Sequence, residues 1–144
     1  MPTSAYNEGT RSWYGLYQKQ KEYAQIDKLK ESQVKSGMIY GSMYDAVMNW
    51  ALYGTDKADA NKVTASSTKH GPGKTGALDS DVIKNIYDLG NNLYECTAEA
   101  YSTNIRVLRG GVYGYTHSPS SRSSSSNNPS VTYSDRGSRF LLYL

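Results

Sequence analysis

Apolar side chains recur at helical spacing in two stretches of the chain and at strand spacing in several shorter ones. In residues 10–25, Trp13, Leu16, Tyr17 and Ala24 fall near one helical face, with Lys19, Lys21 and Glu22 mostly on others. That spacing predicts a helix, with Thr10 or Asn7 as its cap and Gly15 as a weak point inside it. Residues 26–36 are charged and read as solvated. Met38, Ile39 and Tyr40 stand between two glycines, as a buried strand or as an extended approach to the next helix. Residues 42–52 form that helix. Tyr44, Val47, Met48 and Ala51 make its apolar face and Trp50 widens it. Ser42 with Asp45 three residues on resembles a capping box, and Gly54 stands where a terminating glycine belongs.

The second half of the chain reads as strands. Residues 55–81 are polar. Residues 85–89 and 93–97 are expected to pair through Gly90-Asn91-Asn92, a turn-forming triplet. Residues 106–108 make a further short strand, ended by Gly110-Gly111. The apolar run 140–144 is expected to dock as a strand at the edge of a sheet. Trp13, Trp50, Tyr87 and Tyr94 are assigned to the core. The whole, residues 1–144, reads as one α+β domain, a length that can bury a usable core.

Composition sharpens this picture in three respects. Much of the apolar content is aromatic with a polar tip: 14 Tyr against 1 Phe and 2 Trp. Such rings can close a core boundary or meet a partner. The net charge of +3 is spread along the chain with no dense basic block, so no nucleic acid is expected as partner. A single cysteine, Cys96, excludes an intrachain disulfide and leaves the redox compartment open. The first dozen residues lack the basic start and apolar run of a signal peptide. No segment approaches the roughly 18 continuous apolar residues of a membrane span, so no membrane insertion is expected.

Candidate chemistry is sparse. Gly73-Lys74-Thr75 has the ending of a phosphate loop. That loop, however, needs a glycine where Thr68 stands, a buried strand before it and a helix after it. A Gly/Pro turn is the better reading of residues 69–76. Asp79 and Asp81 are two carboxylates without a third ligand, so no metal is assigned. His70 and His117 lie far apart in polar segments, and no Ser/His/Asp set is suggested by spacing.

Three segments carry a resemblance. NIYDLGNNLYECT (85–97) resembles the N-x-Y-D-L-x-G-N-V-W-E-W-T segment of the formylglycine-generating enzyme family. RVLRGGVY (106–113) resembles its R-V-x-R-G-G-S-W/Y segment, and RGSRFLLYL (136–144) its closing strand. Residues 36–52 are similar to the preceding helix. The resemblance implies a C-type-lectin-like fold: two helices packed on small, twisted, mostly antiparallel sheets, with long loops. Arg-Gly-Gly followed by Ser/Asn/Tyr-rich sequence and a closing strand most resembles the variable proteins of diversity-generating retroelements and related phage-borne proteins. This chain departs from the enzymes at Tyr94 and Cys96, where the family has tryptophans, and at Asn91, where it has glycine. The family's opening strand has no clear counterpart in residues 1–9. A chain that is the C-terminal part of a longer protein would explain this, and its closing strand would then lack a neighbour.

The enzymes of that family use two cysteines to bind copper. Two soft thiolates suit Cu(I), and this chain offers one thiol, expected to be buried and inert. The expectation is therefore a non-catalytic domain without a cofactor, with a residual oxidase and a structural phage part as alternatives. The displayed surface is residues 112–137, longer than the about 12–15 residues beyond which loops are usually functional or disordered. Composition alone would allow a flexible linker, but this segment returns to an apolar terminal strand. Its makeup resembles a paratope, with tyrosines for contact area and Ser, Gly and Asn for adaptable hydrogen bonds. The candidate contact residues are Tyr113, Tyr115, His117, Ser123, Ser125, Asn127, Asn128, Thr132, Tyr133 and Asp135. Tyr113 is also a candidate core ring. Arg109 and Arg122 are expected to pair with Asp88, Glu95 or backbone carbonyls and pin the loop, and Pro119 and Pro129 to stiffen it. The implied partner is a protein or glycan on a cell surface, met from a phage virion or a bacterial surface through a carrier. Oligomeric state is left open.

Overall fold

The computed structural model describes residues 12–25, 32–56, 72–115, 122 and 128–144. The first helix, α1, is Trp13–Glu22, continued by a 3-10 turn at Tyr23–Gln25. Ser12 caps it: its Oγ accepts a hydrogen bond from the Gly15 amide at 3.2 Å, which satisfies one of the orphan donors of the first turn. The expected caps, Thr10 and Asn7, lie outside the described residues. Trp13 is buried and its indole N–H donates to the Thr97 carbonyl at 2.7 Å, tying the helix to a strand far along the chain.

Strand β1 (Lys35–Met38) runs into an extended Ile39-Tyr40 and then into α2, Gly41–Leu52. Tyr44, Met48 and Ala51 are buried on one face of α2, and Gly54 takes φ +65 just past its end, as a terminating glycine does. Two expectations for this helix fail. No side chain caps its start, because the helix begins at Gly41 with Tyr40 as its N-cap, which puts Ser42 inside the first turn, while Asp45 pairs with arginines. Trp50 is not core: it is 52% exposed, since its position lies off the Tyr44–Met48–Ala51 stripe. The Lys84 ammonium sits 5.1 Å from its ring centroid.

The strand pairing also differs from the expected hairpin. β2 (Val82–Ile83) pairs with β3 (Ile86–Tyr87) through Lys84 and Asn85, both at positive φ, the backbone that a tight two-residue hairpin requires. Tyr87 thereby leaves the core and is half-exposed. Gly90-Asn91-Asn92 is no hairpin turn; residues 88–92 are a buried loop. β4 (Tyr94–Ser102) pairs antiparallel with β5 (Ile105–Arg109) and parallel with β6 (Arg136–Ser138). β7 (Phe140–Tyr143) has a neighbour after all: it pairs antiparallel with β1, Lys35 opposite Tyr143 and Met38 opposite Phe140. Its backbone is docked while Phe140, Leu142 and Tyr143 stay partly exposed.

The result is a mixed α+β architecture, with two α-helices among the described residues on small antiparallel and mixed sheets. One apolar cluster lies under α2 and holds Ile39, Tyr44, Met48, Ala51, Ile83 and Leu89. The other joins α1 to β4 and β5 and holds Trp13, Met38, Tyr94, Cys96, Leu108 and Val112. The Ala98 amide donates to the Ile39 carbonyl at 2.9 Å, a backbone bond between the two. Among the described residues no helix is long and apolar enough to cross a membrane.

Candidate ligand-binding surface

Two glycines launch the Ser/Tyr/Asn segment. Gly110 takes φ +78, a left-handed conformation that costs glycine least. Gly111 has no room for a side chain: a Cβ there would overlap the Gly90 carbonyl, 2.5 Å from its carbon. Before them, Arg109 is buried, forms an ion pair with Asp45 of α2 and lies 4.9 Å from the Tyr44 ring centroid. Arg122 reaches Asp45 Oδ2 at 3.1 Å and Glu99 Oε1 at 3.4 Å. The two arginines do pin the loop, but to other carboxylates than expected. Glu95 is instead paired with Arg139. Asp88 accepts from the Gly76 amide at 3.1 Å and from Asn92 Nδ2 at 3.1 Å.

Both ends of the segment are held. On the outgoing side, the Tyr113 amide donates to the Asn92 carbonyl at 3.0 Å, and the Tyr113 ring packs half-buried against the α1–β4–β5 cluster. On the return side, Pro129 is buried and its carbonyl accepts from the Tyr14 amide at 3.3 Å. The Tyr94 amide donates to the Asp135 carbonyl at 2.9 Å. Tyr133 lies under the Arg136 guanidinium, 3.4 Å from its ring centroid, and Arg136 pairs with the Asp135 carboxylate. Asp135, expected as a contact residue, is thus a strut of the frame.

Of the expected contact residues, Tyr113, Thr132 and Tyr133 come together on one open cleft of about 880 Å³. Tyr115 and Asn128 are exposed outside it. His117, Ser123, Ser125, Asn127 and Pro119 lie outside the described residues. The other wall of the cleft is the Pro72-Gly73-Lys74 turn, with Leu93 and Ser134 between. No local signal marks that turn as part of the surface. Its placement depends on Asn92, whose side-chain amide accepts from Gly73 N at 3.2 Å and donates to Gly73 O at 3.3 Å. The Gly73 amide is thus taken by Asn92 and the Gly76 amide by Asp88, whereas a phosphate cradle would need both free.

Glu95 and Cys96 are buried on β4. Burial pushes the Glu95 carboxyl up to about 7, against the pull of Arg139. Burial likewise pushes the Cys96 thiol up to about 12, so at neutral pH it is a packed thiol rather than a nucleophilic thiolate. Asp81 is buried and accepts from Asn91 Nδ2 at 3.0 Å. Among the described residues no group of three or more His, Cys, Asp and Glu is placed to hold a metal ion. Comparison of the chain with protein-family models, with curated proteins and with solved structures returned no match.

Proposed function

We propose that this chain is a non-catalytic ligand-binding domain of the C-type-lectin-like type, presenting residues 112–135 to a protein or glycan on a cell surface. The observation that carries the reading is the double anchorage of the segment. Its two ends are hydrogen-bonded to α1, to Asn92 and to β4, and Arg122 in between bridges carboxylates of α2 and β4. A segment tied down in this way presents side chains with part of their ordering cost already met, which favours binding. Pairing of the closing strand with β1, and two helices on small sheets, support the lectin-like fold. The packing of Cys96 supports a role without thiol chemistry.

The test is retention on a panel of intact bacterial cells and on a glycan array, comparing the wild-type chain with a Tyr115→Ala, Asn128→Ala, Thr132→Ala triple variant. All three side chains are exposed, so the variant should unfold at nearly the wild-type temperature. The expected result is that the wild type is retained on at least one surface and the variant at least about tenfold more weakly, the scale of losing a few polar and aromatic contacts. Equal retention of the two, or none by the wild type, refutes the reading.

A further inference from the structure

We infer that the ligand taken by the Tyr113–Tyr133 cleft is an anionic saccharide, its carboxylate or sulfate held by Lys74; the inference rests on the binding role just proposed.

Lys74 is exposed, lines the cleft, and its ammonium has no ion-pair or hydrogen-bond partner among the described residues. Among the described residues no carboxylate side chain lines the cleft with it. Asp135, the nearest acid in sequence to Tyr133, is already paired with Arg136. A lone cation on an open wall favours an anion. Among the described residues the cleft is otherwise lined by Tyr113, Tyr133, Leu93, Thr132 and Ser134, beside Pro72 and Gly73. A pyranose matches this set, because its C–H faces lie on aromatic and aliphatic surface while its hydroxyls exchange hydrogen bonds with side-chain hydroxyls. An acidic peptide is matched less well. Pairing an extended chain needs free backbone groups along an edge, and here the Gly73 amide and carbonyl and the Tyr113 amide are all taken by Asn92. The cleft volume lies within the usual range for small-ligand sites, roughly 300–1,000 Å³.

Asn92 is the positioning residue. It is buried with φ 70. Its side chain holds the Gly73 turn and its carbonyl holds Tyr113, so one residue sets the distance between the two walls. Lys74 is brought to the tyrosines by a residue 18 positions further along the chain.

The experiment is titration of the intact chain, by calorimetry and by amide chemical shifts, with four probes: 3′-sialyllactose, a sulfated chondroitin disaccharide, lactose and hexaglutamate. The expected result is binding of at least one acidic saccharide, weakened by added salt and exceeding that of lactose. Lys74→Ala should weaken it about tenfold, the scale of one charge-assisted hydrogen bond, and Lys74→Arg should restore most of it. Both variants should melt with the wild type. The inference is overturned if neither acidic saccharide binds, if lactose binds equally, if hexaglutamate binds in their place, or if Lys74→Ala changes nothing. A ligand whose capture needs Tyr115 and Asn128 but ignores Lys74 overturns this inference and leaves the binding role standing. A ligand indifferent to every substitution in residues 112–135 removes both.

Discussion

Asp45 sits on a solvated helix face, yet it meets the guanidinium groups of both Arg109 and Arg122. The buried member, Arg109, would be left uncompensated if Asp45 were lost, whereas Arg122 is exposed and its pairing is screened. Glu95 presents the opposite case, a carboxyl buried beside a single arginine. Its ordinary value near 4.5 is raised to about 7 in the folded chain. Between those two values the folded state holds a proton that the unfolded state has released. The stability it contributes is complete below pH 4.5 and is lost as pH rises toward 7. Urea titrations at pH 4.5, 5.5, 6.5 and 7.5 should therefore show the unfolding midpoint of the wild type falling relative to that of Glu95→Gln, which keeps the shape without the titration. Parallel profiles for the two proteins would contradict the assignment.

At the scale of elements, glycines decide where backbone can meet backbone. A Cβ on Gly111 would overlap the Gly90 carbonyl, and the Gly111 amide donates to the Leu89 carbonyl, so the approach to the Ser/Tyr/Asn segment and the loop before β4 are in direct contact. At Gly41, at the start of α2, the three atoms nearest an added Cβ all belong to the Glu99 side chain, its carboxyl carbon at 2.7 Å and its Cβ at 3.3 Å. A side chain can swing aside and a carbonyl cannot. Gly111→Ala should therefore cost about 3 kcal/mol of unfolding free energy or more, the upper end for overpacking. Gly41→Ala should stay within about 1 kcal/mol, helped by the helix preference for alanine. Guanidinium melts of the two variants check the contrast, and similar losses for both would contradict it. The helices were legible because an apolar stripe at 3.6 spacing has one solution: Tyr44, Met48 and Ala51 are buried as their spacing required. The hairpin was not. Residues 85–97 hold two strand-like runs about a turn-like triplet, but local propensity cannot say that Ile86 pairs backward with Ile83 while Tyr94 pairs with Arg136.

For the molecule as a whole, the central question is whether the Ser/Tyr/Asn segment is held as part of the frame. The Tyr14 and Tyr94 amides donate to carbonyls of the segment, and the Tyr113 amide, at its start, donates to Asn92, so hydrogen exchange at these three sites reports on the anchorage directly. They should be protected by about a thousandfold relative to an unstructured chain, corresponding to roughly 4 kcal/mol of local opening. Exchange near unstructured rates at all three, with the rest of β4 still protected, would mean that the segment hangs free.

The chain by itself determined its two helices, the strand before Gly110-Gly111 and the serine-rich, tyrosine-bearing composition of residues 112–137. These follow from periodicity, from glycine's backbone freedom and from composition, all of which are local. Folding alone decided that Asp45 rather than Asp88 or Glu95 receives Arg109, that Trp50 and Tyr87 face solvent, and that Lys74 stands across from Tyr133. The Asp45–Arg109 pairing and the placement of Lys74 are set by interactions between segments 18 or more residues apart, and Tyr87 is turned outward by the β2–β3 pairing. Spacing along a sequence carries no information about which distant partner a side chain will meet once the core has closed.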